Sequence, residues 1–193
     1  MKILDKVFYE KETVTVAKDL LGKLLVRSTR RGDMVGRIVE VEAYRGSDDP
    51  ASHAYRGKTD RNYLMFGNGG YAYIYFIYGN HYCFNVTAKL GDYPGAVLMR
   101  ALEPVEGINL MQMNRQVKDK KSLTDGPGKL TKAMNITMRH NGEDLTKGEE
   151  LFLCEPEEIE NFTIVSTKRV GIRSGMDKLW RFYIKDNDFV SRR

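Results

Sequence analysis

Hydrophobic and polar residues alternate in several short blocks along this chain, and the blocks predict mostly strands. From Met34 to Tyr44 the alternation puts Val35, Val39, Val41 and Ala43 on one face and Ile38, Glu40, Glu42 and Tyr44 on the other, which is the two-residue period of a strand. Tyr71 to Phe76 alternates strictly, Tyr71, Tyr73 and Tyr75 against Ala72, Ile74 and Phe76. Tyr78-Gly79-Asn80 then signals a turn and His81 to Ala88 a returning strand, so the pair predicts a hairpin. Further strands are predicted over Lys23 to Thr29, Ala96 to Leu102, Phe162 to Val170 and Leu179 to Lys185, with a turn at Arg30-Arg31-Gly32-Asp33.

Helices are fewer. Val14 to Leu21 predicts a short amphipathic helix, capped by Thr13 or Thr15 and stopped at Gly22. Pro104 is expected to open a helix running to about Val117, because proline suits the first helical position. A short helix is expected after Gly126-Pro127-Gly128, and residues 45–70 are loop-rich, with Pro50 and five glycines. Strands that follow one another through short turns predict an antiparallel sheet with a few packed helices. This is an α+β, mainly β, fold in one domain over residues 1–193. No repeat, no βαβ alternation and no glycine-rich dinucleotide or phosphate loop of the usual spacing is present.

Composition narrows the class. With 193 residues, 41% apolar and 30% charged, the chain can bury a substantial core and does not read as disordered. Two cysteines, Cys83 and Cys154, cannot frame a disulfide scaffold of this length. The opening Met-Lys-Ile-Leu-Asp-Lys has no apolar signal region, which predicts a cytoplasmic protein. The 27 residues between Arg61 and Lys89 carry no formal charge, but they hold six tyrosines, four asparagines and four glycines. That content suits a half-wet sheet rather than a membrane span.

Charge is uneven. Overall it is +5, yet residues 111–139 hold seven basic and two acidic groups, residues 140–162 one basic and eight acidic, and residues 163–193 eight basic and three acidic. Two basic segments around an acidic one fit a molecule with one cationic face, which attracts polyanions; the same excess also simply aids solubility.

Candidate chemistry starts with the aromatic cluster, since nine of the twenty aromatic residues fall in residues 63–84. Three tyrosines on one strand face form either a platform for stacking a nucleobase or ordinary sheet core. Tyr78, at the hairpin turn, is either a wedge between base steps or a turn aromatic packed on the next strand. Glu40 and Glu42 share a strand face about 7 Å apart. One could be an acid or base and the other a partner for Arg37 or Arg100; alternatively both belong to a solvated face. His53, His81 and His140 are scattered and neither cysteine has a partner at ligand spacing, so no metal is expected. Cys83 with His81 makes a poor nucleophilic pair, lacking a third orienting group. Gly126-Pro127-Gly128-Lys129 is either an anion-holding helix start, with Lys129 adding charge, or a plain turn.

These residues, taken in order, resemble the alkyladenine (3-methyladenine) DNA glycosylase family. The likeness is carried by Gly36-Arg37-Ile38-Val39-Glu40-Val41-Glu42-Ala43-Tyr44, His53, Tyr73-Ile74-Tyr75-Phe76-Ile77-Tyr78-Gly79, Asn85, Leu98-Met99-Arg100-Ala101-Leu102-Glu103-Pro104, Arg169-Val170-Gly171-Ile172 and Arg181-Phe182-Tyr183. The resemblance runs from about Leu20 to Tyr183. It implies a sheet core similar to the C-terminal domain of formyltransferases, and a monofunctional enzyme that flips damaged purines out of duplex DNA and hydrolyses their N-glycosidic bonds, the first step of base excision repair. The implied bases are 3-methyladenine, 7-methylguanine, hypoxanthine and etheno-adenine.

By the same resemblance Glu42 matches the water-activating carboxylate, and Tyr44, His53 and Tyr75 match the walls of the base pocket. Tyr78 matches the side chain that takes the place of the flipped nucleotide, and Asn85 a residue that disfavours guanine. Arg100 matches an arginine near the attacking water and the target phosphate, and Val170 a backbone contact to that water. Asn80 and His81 depart from the larger apolar or aromatic side chains of some members. The long N-terminal extension of some relatives is absent, so a bare catalytic domain is expected. No cofactor is implied; the expected partner is double-stranded DNA and the expected state a monomer. The alternative reading is a non-catalytic nucleic-acid-binding module on the same scaffold.

Overall fold

A computed structural model describes residues 2–77, 79, 81–158 and 160–191. Among the described residues eight strands form one curled antiparallel sheet: β1 (Leu24–Arg27), β2 (Met34–Tyr44), β3 (Ala72–Ile77), β4 (His81–Thr87), β5 (Ala96–Glu106), β6 (Leu151–Cys154), β7 (Ile164–Thr167) and β8 (Arg181–Ile184). The main path runs β3-β4-β5-β2-β1-β6. β2 is the axis. Along one edge it pairs with β5; along the other its first half pairs with β1 and its second half with β8, which carries β7. Among the described residues the α-helices are α1 (Lys6–Tyr9), α2 (Thr13–Leu20), α3 (Ile108–Arg115) and α4 (Pro127–Ala133); α2, α3 and α4 pack on the sheet, so the α+β class holds. No helix among the described residues is long and apolar enough to cross a membrane.

The expected two-residue alternation of β2 breaks in the middle. Ile38 faces Leu102 and Glu40 faces Ala101, which makes Val39 an extra residue; Val41 then faces Met99, which makes Arg100 extra on β5. Ile38 therefore joins Val39, Val41 and Ala43 in the core instead of sharing the face of Glu40 and Glu42. Bulges of this kind bend a strand and re-aim its side chains. Here they turn Arg100 towards the two glutamates.

The helix at Pro104 is not formed. Pro104 lies inside β5 opposite Gly36, next to a further bulge at Val105, the kind of place where a strand tolerates proline. The chain turns only at Gly107 (φ 69°), where an added Cβ would lie 2.2 Å from the Asp33 carbonyl, and α3 then ends at Arg115, short of Val117. The cap of α2 also differs. Glu12, not Thr13 or Thr15, accepts from the Val14 and Thr15 amides at 2.9 and 3.1 Å, and a carboxylate there also complements the helix dipole. The strands expected over 162–170 and 179–185 shrink to β7 and β8, which leaves Val170 on a loop with its amide unpaired by the sheet. β6, four residues inside the acidic segment, gave too short a pattern to be read.

Candidate active site

β2 and β5 deliver the carboxylates and Arg100 to one place. Glu40 and Glu42 are both fully buried, so they are no solvated strand face. Glu42 Oε2 accepts from the Tyr44 hydroxyl at 2.8 Å. Its Oε1 accepts from the Val170 amide at 2.7 Å and lies 3.3 Å from Arg100 Nη1. Glu40 Oε1 accepts from Arg100 Nε and Arg181 Nε, each at 2.7 Å. Burial alone would raise the Glu40 carboxyl; the Arg100 charge, the Ser191 amide and Arg181 outweigh it and hold Glu40 below the usual carboxylate range. Arg37, expected as a possible partner for one of the two glutamates, instead pairs with Glu160.

Beside Glu42 opens a cavity of about 180 Å³ lined by Tyr44, His53, Tyr73, Tyr75, Asn85 and Ile172, among others. His53 Nδ1 lies 2.7 Å from the Tyr73 hydroxyl, and its ring meets the Tyr75 ring edge-on at 4.7 Å. Burial, and then the Arg61 cation, push the His53 imidazole below its ordinary value, towards the neutral form. Asn85 donates its amide to the Tyr73 carbonyl at 3.0 Å across the β3–β4 ladder. Burial, and then the Glu42 charge, raise Tyr44 well above the ordinary tyrosine value, so its hydroxyl keeps its proton for Glu42. Tyr71 is not among the residues that line this cavity.

A wider cleft of about 470 Å³ adjoins the cavity and shares Tyr44, Tyr75, Gly171 and Ile172 with it. Glu42, Arg100, Val170, Lys129, His81 and Ser191 line the cleft. Gly128 inside α4 lets the helix come close to the hairpin, since a Cβ there would lie 2.9 Å from the His81 ring. Lys129 faces the cleft but is paired with Asp125 at 2.9 Å. Cys83 also lines the cleft, buried, with its thiol pushed up by that burial, which disfavours the thiolate that a nucleophile with His81 would need. Tyr78 and Asn80 lie outside the described residues. Ile77 pairs with His81, and Gly79 between them has φ 73°, as a tight hairpin requires.

Sequence reasoning missed the pair that holds the site's two loops together. Arg169 Nη1 and Nη2 grip the Asp49 carboxylate at 2.6 Å each, both side chains fully buried, and Nη1 also donates to the Ala43 carbonyl at 2.9 Å. The Arg169 guanidinium lies 4.7 Å over the Tyr44 ring. Arg169 lies in the Arg169-Val170-Gly171-Ile172 motif, but Asp49, in a loop of mixed polar residues, gave no pattern. Ser191 was also missed, since a serine near the end of a polar stretch carries no periodic signal.

Comparison with known proteins places the chain in a family. The family model described as methylpurine-DNA glycosylase matches residues 7–188. A relative from Methanoculleus marisnigri is 52% identical, with 98% of this chain and 99% of the relative covered. Relatives from Natranaerobius thermophilus and Borreliella burgdorferi are each 47% identical, over 97% and 98% of this chain and 98% and 100% of their own lengths. All three are provisionally named 3-methyladenine DNA glycosylase. The chain belongs to the methylpurine-DNA glycosylase family.

Proposed function

We propose that this protein binds duplex DNA, takes a damaged purine into the aromatic cavity and hydrolyses its N-glycosidic bond. The candidate bases are 3-methyladenine, 7-methylguanine, hypoxanthine and etheno-adenine. The observation that carries the reading is the position of Glu42, a buried carboxylate at the junction of a ring-lined cavity and a cleft reached by cationic side chains. A module that only bound nucleic acid would gain nothing from an acid facing phosphate.

A base inside a duplex cannot reach such a carboxylate, so it must be rotated out, at a cost smallest for damaged or mispaired bases. The β3–β4 hairpin supplies the plug. Phe76, half exposed, packs on Tyr82 near its end, and Tyr78 fills the vacated stack. Tyr44, His53 and Tyr75 hold the base by stacking. A 3- or 7-methylated purine is a cation, which aromatic faces favour, and a neutral His53 adds no like charge against it. Asn85 sits at the cavity wall, where it discriminates by the base edge.

Chemistry follows from charge. As the glycosidic bond breaks, its electron pair leaves with the base and positive charge develops on the sugar. Glu42 stabilises that charge and takes a proton from the water whose oxygen bonds to the anomeric carbon. A cationic base departs neutral with no proton donor, whereas a neutral base needs one. The product is an abasic site with both strands intact. Arg100 and Lys129 face the phosphates. A groove of about 270 Å³ shares His81 and Gly128 with the cleft and continues past Asn114, Lys132 and Asn135, with no carboxylate among its lining residues, a suitable track for the flanking strand.

The test is base release. Methylated duplex DNA incubated with the protein should yield free 3-methyladenine and alkali-labile sites. Tight binding without release would instead identify a binding module.

A further inference from the structure

Glu40 has no part in the reaction above, yet four donors converge on it. Besides Arg100 Nε and Arg181 Nε, the Ser191 hydroxyl reaches Oε1 at 3.0 Å and the Ser191 amide reaches Oε2 at 2.6 Å. Arg100 is in turn divided among three groups. Its Nε serves Glu40, its Nη1 lies 3.3 Å from Glu42, and its Nη2 donates to Ser191 Oγ at 3.1 Å. Ser191 is itself a wall of the cleft beside Glu42. Two buried carboxylates and two buried arginines thus share one network with no net charge.

We propose that Glu40 is a positioning residue for the hydrolysis, acting through Arg100 and Ser191. Held by its Nε edge, the Arg100 guanidinium meets Glu42 with one nitrogen only. Without Glu40 it is free to turn side-on and close on Glu42 with two parallel hydrogen bonds, the strong arrangement for an arginine and a carboxylate. That would occupy the oxygens that must accept the water's proton. Loss of Glu40 also releases the Ser191 amide and with it the wall of the cleft. The inference rests on the proposed function, because it assigns Glu40 to the same reaction.

The experiment is single-turnover release of 3-methyladenine from methylated duplex, enzyme in excess, for wild type, Glu40→Gln, Arg100→Gln and the double variant, with duplex affinity measured alongside. Glu40→Gln should slow release by roughly 10- to 100-fold, the scale of a misplaced catalytic group, while affinity for duplex stays within about threefold. Adding Glu40→Gln to Arg100→Gln should change the rate by less than about twofold, because residues acting as one unit are not additive. Wild-type release by Glu40→Gln, or losses that multiply in the double variant, overturns the inference. If Glu40→Gln does not fold, Ser191→Ala carries the test. Slower release at an unchanged melting temperature supports the positioning role, and a wild-type rate overturns it. Failure of the wild type itself to release base overturns the proposed function and this inference with it; release by wild type and Glu40→Gln alike overturns this inference alone.

Discussion

Arg169 clamps Asp49 across 120 residues of sequence by two hydrogen bonds of 2.6 Å in a fully buried setting. The clamp ties the loop that carries His53 to the loop that presents the Val170 amide to Glu42, so the cavity and the carboxylate are set by one ion pair. Burial alone would lower Arg169; the hydrogen bonds and charge of Asp49 outweigh it and raise the guanidinium above its ordinary value.

Asp49→Asn should therefore destabilise the protein by about 3–5 kcal/mol, the usual cost of leaving one buried charge without its partner. Urea unfolding at pH 7 measures it. A loss below about 1 kcal/mol would mean that water reaches Arg169 and the clamp is dispensable.

Tyr44→Phe isolates one hydrogen bond at the carboxylate. The ring that walls the cavity stays, and the donor to Glu42 Oε2 is lost. A hydrogen bond to a charged group is worth about 1.5–3 kcal/mol, so single-turnover base release should fall by about tenfold or more, with duplex affinity unchanged. An equal loss of affinity and no loss of rate would assign Tyr44 to stacking alone.

Acid stability has a separate source at His140, away from the site. Burial, then the Arg27 and Arg139 charges, push its imidazole down from 6.5 to about 4; among the described residues its Nε2 has no hydrogen-bond partner, with Glu150 Oε2 3.8 Å away. Between those two pH values the unfolded chain binds a proton that the folded one refuses. Stability is therefore full above pH 6.5 and falls as the pH drops towards 4, by about 3 kcal/mol at most. His53, shifted in the same direction, adds to the slope, whereas Glu40, held below 4.5, loses its contribution only at lower pH. Urea midpoints at pH 7, 6, 5 and 4.5 measure the slope, and His140→Gln should reduce it. A wild-type midpoint constant over that range would show that His140 protonates freely in the fold.

The antiparallel sheet and the hairpin at Gly79 were legible because strand alternation is local. What misled was local too. Pro104 fits a helix start as well as a bulge, and only the pairing with Gly36 decides. The alternation of β2 suggested that Ile38 shared a face with the glutamates, and the bulge at Val39 moved it. At the site, Glu42, Tyr44, Tyr75 and Arg100 could be read only from motifs that resemble the family's, since alternation alone left the glutamates open to a solvated face and the tyrosines to sheet core. Asp49 and Ser191 could not, because their importance comes from partners more than 100 residues away, Arg169 for one and Glu40 for the other.

The most direct test of the central claim is single-turnover release of 3-methyladenine by Glu42→Gln. The amide keeps the shape of the side chain and removes the proton acceptor and the charge. The account predicts a loss of at least about 100-fold in rate with duplex binding retained. Release at the wild-type rate would contradict it.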